Sequence, residues 1–174
     1  LGAVPCSAIG MLHAAAARRR AAQAPGFTVL CCDNLPANGK TLKAAVLAFA
    51  DAKGDGLGEW IEANVAFPSS MVDRIVPAIT DADRQRASQL IGLDDAAPVF
   101  TEPFKQWVVE DRFVSGRPAW ERAGVEFVED VAPYELMKLR LLNGSHSAIA
   151  YLGALAGLTF VNEVTADPVF RSFI

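Results

Sequence analysis

Phe27-Thr28-Val29-Leu30-Cys31-Cys32-Asp33-Asn34-Leu35-Pro36-Ala37-Asn38-Gly39 decides the fold class. The first six residues are aromatic, β-branched or otherwise apolar, and they lie between Pro25-Gly26 and Asp33. Such a run predicts a short buried strand. Asp33 to Gly39 is rich in turn formers and reads as the loop that follows it. Thr41 to Ala52 then reads as a helix. Ser7 to Ala22 reads as the preceding one, alanine-rich and capped by Ser7 after Pro5. Helix and strand in alternation are the mark of an α/β domain. In open α/β sheets, ligands gather outside the carboxyl ends of the strands. Asn34 therefore stands where a ligand-facing residue is expected.

The alternation continues downstream. Asn64 to Phe67 is a second candidate strand, and Pro68 to Pro77 a loop carrying Asp73. Thr80 to Ile91 is a helix opened by Thr80-Asp81-Ala82-Asp83. Val99 to Thr101 and Gln106 to Glu110 look extended. Gly116-Arg117-Pro118 is a break, and Val125 to Val128 a final short strand. From Pro133 the pattern turns helical through about Leu155, and again from Thr165. The change of pattern near Asp130 predicts a boundary between domains 1–129 and 130–174.

Composition narrows the function classes. A net charge of -4 argues against nucleic acid as a main partner, and Arg18-Arg19-Arg20 reads as the solvated end of a helix. The chain has three cysteines, two of them adjacent at 31 and 32, which makes no disulfide framework and suits a cytoplasmic protein. Its two histidines, His13 and His146, form no zinc ligand set, so no metal is expected. The longest apolar stretch, Leu141 to Val161, is interrupted by Asn143, Ser145 and His146, so no membrane span is expected. A monomer or weak oligomer is expected.

The chemistry concentrates in Lys138-Leu139-Arg140-Leu141-Leu142-Asn143-Gly144-Ser145-His146. On a helix turning about 100° per residue, Glu135, Lys138, Asn143 and His146 share an arc of roughly 140°. Leu139 and Leu142 fall in the same arc, which predicts a half-buried face. Polar groups on such a face must pair with one another, with water or with a ligand. Burial disfavours the charged form of a lysine, which suits general-base work. The plainer reading is a surface lysine, a helix-breaking Asn-Gly and a core histidine. Cys32, in a strand without a basic neighbour, reads as a buried thiol rather than a nucleophile. Phe104 and Trp107 read as core, and Asp33 and Asn38 as loop-shaping residues.

Five segments, taken in order, resemble the mannitol dehydrogenase family of polyol-specific long-chain dehydrogenases, which includes fructuronate and tagaturonate reductases. They are Cys32 to Gly39, Phe67-Pro68-Ser69-Ser70-Met71-Val72-Asp73-Arg74-Ile75, Glu102 to Asp111, Lys138-x4-Asn143-x2-His146, and Ala166-Asp167-Pro168-Val169-Phe170. The resemblance implies the C-terminal part of a Rossmann-like nucleotide-binding domain followed by the first helices of an all-α substrate domain. It implies NAD or NADP as cofactor, and hydride transfer between a sugar alcohol of the mannitol type and a ketose. Lys138 would be the general base, and Asn34 and Asn143 would polarise the substrate oxygen. His146 and Asp73 would bind substrate, and Glu135 would relay the proton. Cys31 stands where the family often has serine.

Family members are longer, and no GxGxxG occurs in these 174 residues. The chain is therefore expected to be an internal piece. Alternatives are a reductase of the fructuronate or tagaturonate type, a Schiff-base lyase using Lys138 as nucleophile, and a non-catalytic fragment lacking the cofactor fingerprint.

Overall fold

The computed structural model describes residues 5–173. Two compact units divide the chain, Leu1–Glu129 and Asp130–Ile174.

In the first unit, helix α1 (Ala8–Ala21) begins where the Ser7 hydroxyl accepts from Gly10 N–H at 3.2 Å. Strand β1 (Phe27–Thr28), helices α2 (Asn38–Lys53) and α3 (Leu57–Asn64) and strand β2 (Val65–Ala66) follow. β1 and β2 are parallel, with Phe27 opposite Val65 and Thr28 opposite Ala66. Beyond the pair, Val29 N–H donates to Ala66 O at 2.9 Å.

The core beneath the helices follows from fourfold spacing, which keeps residues on one helix face. Val46 and Ala50 of α2 and Leu57 and Ile61 of α3 are buried with Ala16 and Val65, and Leu12, Phe27 and Val29 pack against them. Val46, Leu57 and Ile61, fully buried, each contribute about 1.5–3 kcal/mol. Helix α3 has no counterpart in the sequence reading. It is short, and Gly54 and Gly56 end α2 and restart the chain at positive φ. Arg20 ties that corner down by donating to Gly56 O at 2.9 Å.

A second sheet lies further along the chain. Strands β3 (Ser70–Asp73), β4 (Gln106–Glu110) and β5 (Glu126–Val128) are ordered β3-β4-β5, the first pair antiparallel and the second parallel. Val108 and Val109 at its centre are fully buried. Helix α4 (Asp81–Ile91) precedes β4 and opens on a reciprocal cap. Thr80 Oγ accepts from Asp83 N–H, and the Asp83 carboxylate accepts from Thr80 N–H. On the sheet, Trp120 stacks on Trp107 at 5.3 Å and on Phe127 at 6.4 Å, and the Arg117 guanidinium sits 3.6 Å over Phe127.

The expected strand from Phe27 to Cys32 ends at Thr28, because β2 offers only two paired residues. Cys31 and Cys32 are outside it, and Cys32 is exposed rather than buried. Residues 70–73, expected in a loop, pair with β4 more than thirty positions away, a partner that local pattern does not reveal. Asp73 therefore ends a strand of the second sheet. Val99 to Thr101 form no strand, and Phe104, expected in the core, is 54% exposed.

In the second unit every regular element among the described residues is helical. Helix α5 (Ala132–Met137) continues into a π-helical segment, Lys138–Asn143, and then into α6 (Gly144–Leu155). Helices α7 (Val161–Ala166) and α8 (Pro168–Phe173) are separated at Asp167. Its carboxylate accepts from Val169 N–H at 2.8 Å. A Cβ on Gly153 would lie 2.5 Å from Val164 Cγ2, so only glycine lets α6 and α7 come this close.

Candidate functional site

In the first unit one site candidate, Asn34, follows the carboxyl end of β1. Asp33 shapes the turn, its carboxylate accepting from Asn34 N–H at 2.8 Å. Asn34 is exposed. The segment returns to the fold at Asn38, which is 1% exposed. Its Nδ2 donates to Cys31 O at 3.1 Å, to Asp33 O at 2.9 Å and to Ser70 O at 2.9 Å, and its Oδ1 accepts from Ser70 N–H at 2.9 Å. Asn38 thus shapes the loop, as its place in the sequence suggests, and also joins it to β3. Gly39 allows this approach, since a Cβ there would lie 2.5 Å from Phe67 O and Pro68 O.

Cys32 is a poor nucleophile. Partial desolvation pushes its thiol above the ordinary pKa, and neighbouring Cys31 adds to the rise, against a lowering hydrogen bond with Ser70. Asp73 is half-buried and pairs in register with Gln106. Neighbouring Arg74 engages the Glu102 carbonyl through Nε at 3.0 Å and Nη2 at 2.9 Å. Asn34 and Asp73 do not follow strands of one sheet, as the sequence suggested. Asn34 lies in the loop after β1 of the parallel pair and Asp73 ends β3 of the second sheet, the Asn38–Ser70 bonds linking the two segments. Asp73 lies three residues beyond Ser70, roughly 10 Å along an extended strand.

In the second unit Glu135, Lys138, Asn143 and His146 lie on one continuous helical run. Asn143 and Gly144 do not break it; both have helical φ and ψ. Glu135 and Lys138 are half-buried, whereas Asn143 and His146 are exposed. The face is more open than expected, with Leu139 47% exposed. The π-helical turn resets the angular bookkeeping. Gly144 N–H donates to Leu139 O, five residues back, so each turn here takes up an extra residue. Lys138 and Asn143, separated by roughly 140° on an α-helix, stand about one turn apart on a π-helix.

Glu110, which the sequence reading passed over, is 3% exposed and accepts Ser69 N–H at 3.0 Å. A lone acid at the end of an apolar strand gives no sequence signal of burial. A concavity of about 220 Å³ lies on the three-stranded sheet, lined by Lys105, Trp107, Trp120, Ala123, Gly124 and Val125. It contains none of the residues named for chemistry. Among the described residues, no three His, Cys, Asp or Glu side chains are grouped to hold a metal ion, and no helix is long and apolar enough to cross a membrane.

Comparison with known proteins gives these observations a frame. Residues 2–122 match the mannitol dehydrogenase Rossmann domain, and residues 130–174 match the mannitol dehydrogenase C-terminal domain. The uncharacterized oxidoreductase YdfI of Escherichia coli K12 is 54% identical over 167 residues, 96% of this chain and 34% of YdfI. The D-mannonate oxidoreductase of the same organism is 48% identical, with the same coverage of each chain. The structure of Pseudomonas fluorescens mannitol 2-dehydrogenase, a ternary complex with NAD and D-mannitol, superposes with a TM-score of 0.83 at 53% identity. That match covers 97% of this chain and 34% of the other. The chain thus spans about a third of the length of the relatives it matches.

Proposed function

The chain belongs to the mannitol dehydrogenase family, and from that premise we propose that the protein is an NAD-dependent dehydrogenase interconverting a sugar alcohol and a ketose. The observation that supports the proposal is the π-helical segment Lys138–Asn143, whose two end residues are about one turn apart along the backbone. Oxidising a secondary alcohol needs a base for the hydroxyl proton and neutral donors for the oxygen as negative charge grows on it. Lys138, in its neutral form, takes that proton. Asn143 and Asn34 donate to the oxygen, their amides contributing no charge of their own. Glu135, one α-helical turn before Lys138, passes the proton outward. His146 and Asp73 hold further hydroxyls of the substrate.

The residues present fit one end of a dinucleotide. The exposed Asp33–Pro36 turn stands outside the carboxyl end of the parallel pair β1–β2, the edge where α/β sheets take their ligands. When bound, the nicotinamide supplies the hydride acceptor. No GxGxxG occurs in the sequence, so the pyrophosphate contacts are not assigned to these residues. The free thiols Cys6, Cys31 and Cys32 suit a reducing cytoplasm.

The likeness to a D-mannonate oxidoreductase supports a second reading, in which the substrate is an aldonate and the product a keto-uronate. The test is a substrate panel on the full-length protein: D-mannitol, D-sorbitol and D-mannonate, each with NAD and with NADP. Turnover of a polyol at least tenfold above the aldonate supports the first reading. The reverse preference supports the second, and turnover of neither class refutes both.

A further inference from the structure

We infer that Asn38 is a positioning residue for the reaction: it fixes the loop that presents Asn34 by clamping both ends of that loop to strand β3. The inference rests on the reading of Asn34 as a donor to the substrate oxygen.

A single carboxamide holds this loop with four hydrogen bonds. Asn38 could start α2 without its side chain, because the first helical positions need no side-chain bond from within the helix. Instead its carboxamide is almost wholly buried. The two Nδ2 hydrogens are shared among three carbonyls, at Cys31, Asp33 and Ser70. Two of these precede Asn34, one at Cys31 and one at the residue immediately before it. The third, with the Ser70 N–H that Oδ1 accepts, belongs to the second sheet. The Ser70 hydroxyl donates to Cys31 O as well. Further along the same loop, Thr41 Oγ1 donates to Pro36 O at 3.3 Å.

Backbone conformation gives an independent sign. Ala37 has φ 46° and ψ 48°, the left-handed region that a residue with a Cβ rarely adopts. A residue held there persists only where its surroundings over-determine it, and such residues cluster at functional sites. The adjacent Asn38 clamp is that surrounding. The loop between Cys31 and Asn38 is thus pinned on both sides, with Asn34 exposed at its middle.

Asn38→Asp is the sharpest probe, since it keeps the shape and replaces the donating nitrogen with an oxygen facing three carbonyls. The full-length protein is assayed with NAD and whichever of D-mannitol and D-mannonate it turns over. Asn38→Asp is made in the natural background and in Asn34→Ala, with melting temperature and both Michaelis constants followed. The expected result is a loss of turnover of at least tenfold with the NAD Michaelis constant within twofold. In the Asn34→Ala background the further loss is below twofold, because a residue acting through another adds nothing once that other is gone. An equal loss in both backgrounds overturns the inference, as does a folded Asn38→Asp variant with turnover within twofold of the natural protein. If Asn34→Ala alone leaves turnover unchanged, the reading of Asn34 fails, and the inference with it. Should Asn38→Asp not fold, Ser70→Ala removes the hydroxyl's bonds to Cys31 O and to the Cys32 thiol and leaves the backbone bonds to Asn38 in place. It should show a smaller loss, about threefold, that likewise vanishes in Asn34→Ala; persistence of that loss, or no loss at all, overturns the inference.

Discussion

Two glycines in the first turns of neighbouring helices are set to respond oppositely to alanine. A Cβ on Gly39 would stand 2.5 Å from two backbone oxygens, those of Phe67 and Pro68, and 2.6 Å from the Pro68 carbonyl carbon. Ordinary contact begins at 3.4 Å, so the approach falls short by roughly 0.9 Å against atoms that cannot swing away. Relief requires α2 or the 67–68 backbone to move, and overpacking of this kind costs about 1–3 kcal/mol. Alanine regains at most about 1 kcal/mol through helix propensity and a less flexible unfolded chain. With the full gain subtracted, Gly39→Ala should destabilise the protein by up to about 2 kcal/mol. Gly58, in the first turn of α3, is the control. A Cβ there meets only the Asp51 carboxylate at 3.3 Å, the end of a side chain that can turn aside, and Ala50 Cβ at 3.9 Å. Gly58→Ala should be neutral or stabilising by up to about 1 kcal/mol. Urea denaturation of the two variants beside the natural protein measures the difference. Since α2 also carries Asn38, Gly39→Ala should lower turnover as well, whereas Gly58→Ala should not. Equal midpoints for the two variants would refute the claim that the backbone at 67–68 forces glycine at 39.

Lys138→Ala in the full-length protein should lower turnover by about 10²- to 10⁴-fold, with partial rescue by small primary amines; turnover within a few-fold of the natural protein would remove the base assignment. Asn34→Ala and Asn143→Ala should each lower turnover by an amount equivalent to about 3 kcal/mol while changing substrate binding little, because donors to a developing oxyanion act mainly in the transition state. An effect confined to the Michaelis constant would place them in ground-state binding. The α4 cap should respond to acid. Hydrogen bonds from the Thr80 hydroxyl and from the Thr80 backbone hold the Asp83 carboxyl below its ordinary pKa. Its contribution to folding is present above the unfolded value near 3.8 and is lost as pH falls through the lower folded value. Amide exchange in the first turn of α4, corrected for the intrinsic rate, should lose protection in that window, and Thr80→Ala should remove the dependence.

Local chemistry reached the sequence reading wherever the structure is local. Ser7 and the Thr80–Asp83 box mark real helix starts because the bonds that make them span three residues. Gln106 to Glu110 reads as a strand from its own apolar run, and it is one. Residues 70–73 do not, because Pro68 and the charged pair Asp73-Arg74 look like a loop, and the strand exists only through β4. The same limit hid the second role of Asn38: its bonds to Cys31 and Asp33 are local, but those to Ser70 cross 32 positions. Phe104 fails differently. An aromatic residue in an extended stretch reads as core, yet solvent-exposed apolar side chains are ordinary on protein surfaces.

The π-helical turn brings Lys138 and Asn143 nearer to one line along the helix than the α-helical count of the sequence does. Counting about 100° per residue from Lys138 leaves Asn143 at the far edge of the shared arc. One extra residue absorbed into the turn removes that offset. The cost falls on backbone hydrogen bonding, since i→i+5 bonds replace the better-aligned i→i+4 set. Two serines just beyond the turn donate to backbone carbonyls four residues back, Ser145 to Leu141 and Ser147 to Asn143. Such back-bonding eases a bend in the helix. No hydrophobic periodicity encodes this. A five-residue interval between an amine and a carboxamide, which leaves them roughly 140° apart on an α-helix, is close to one turn of a π-helix.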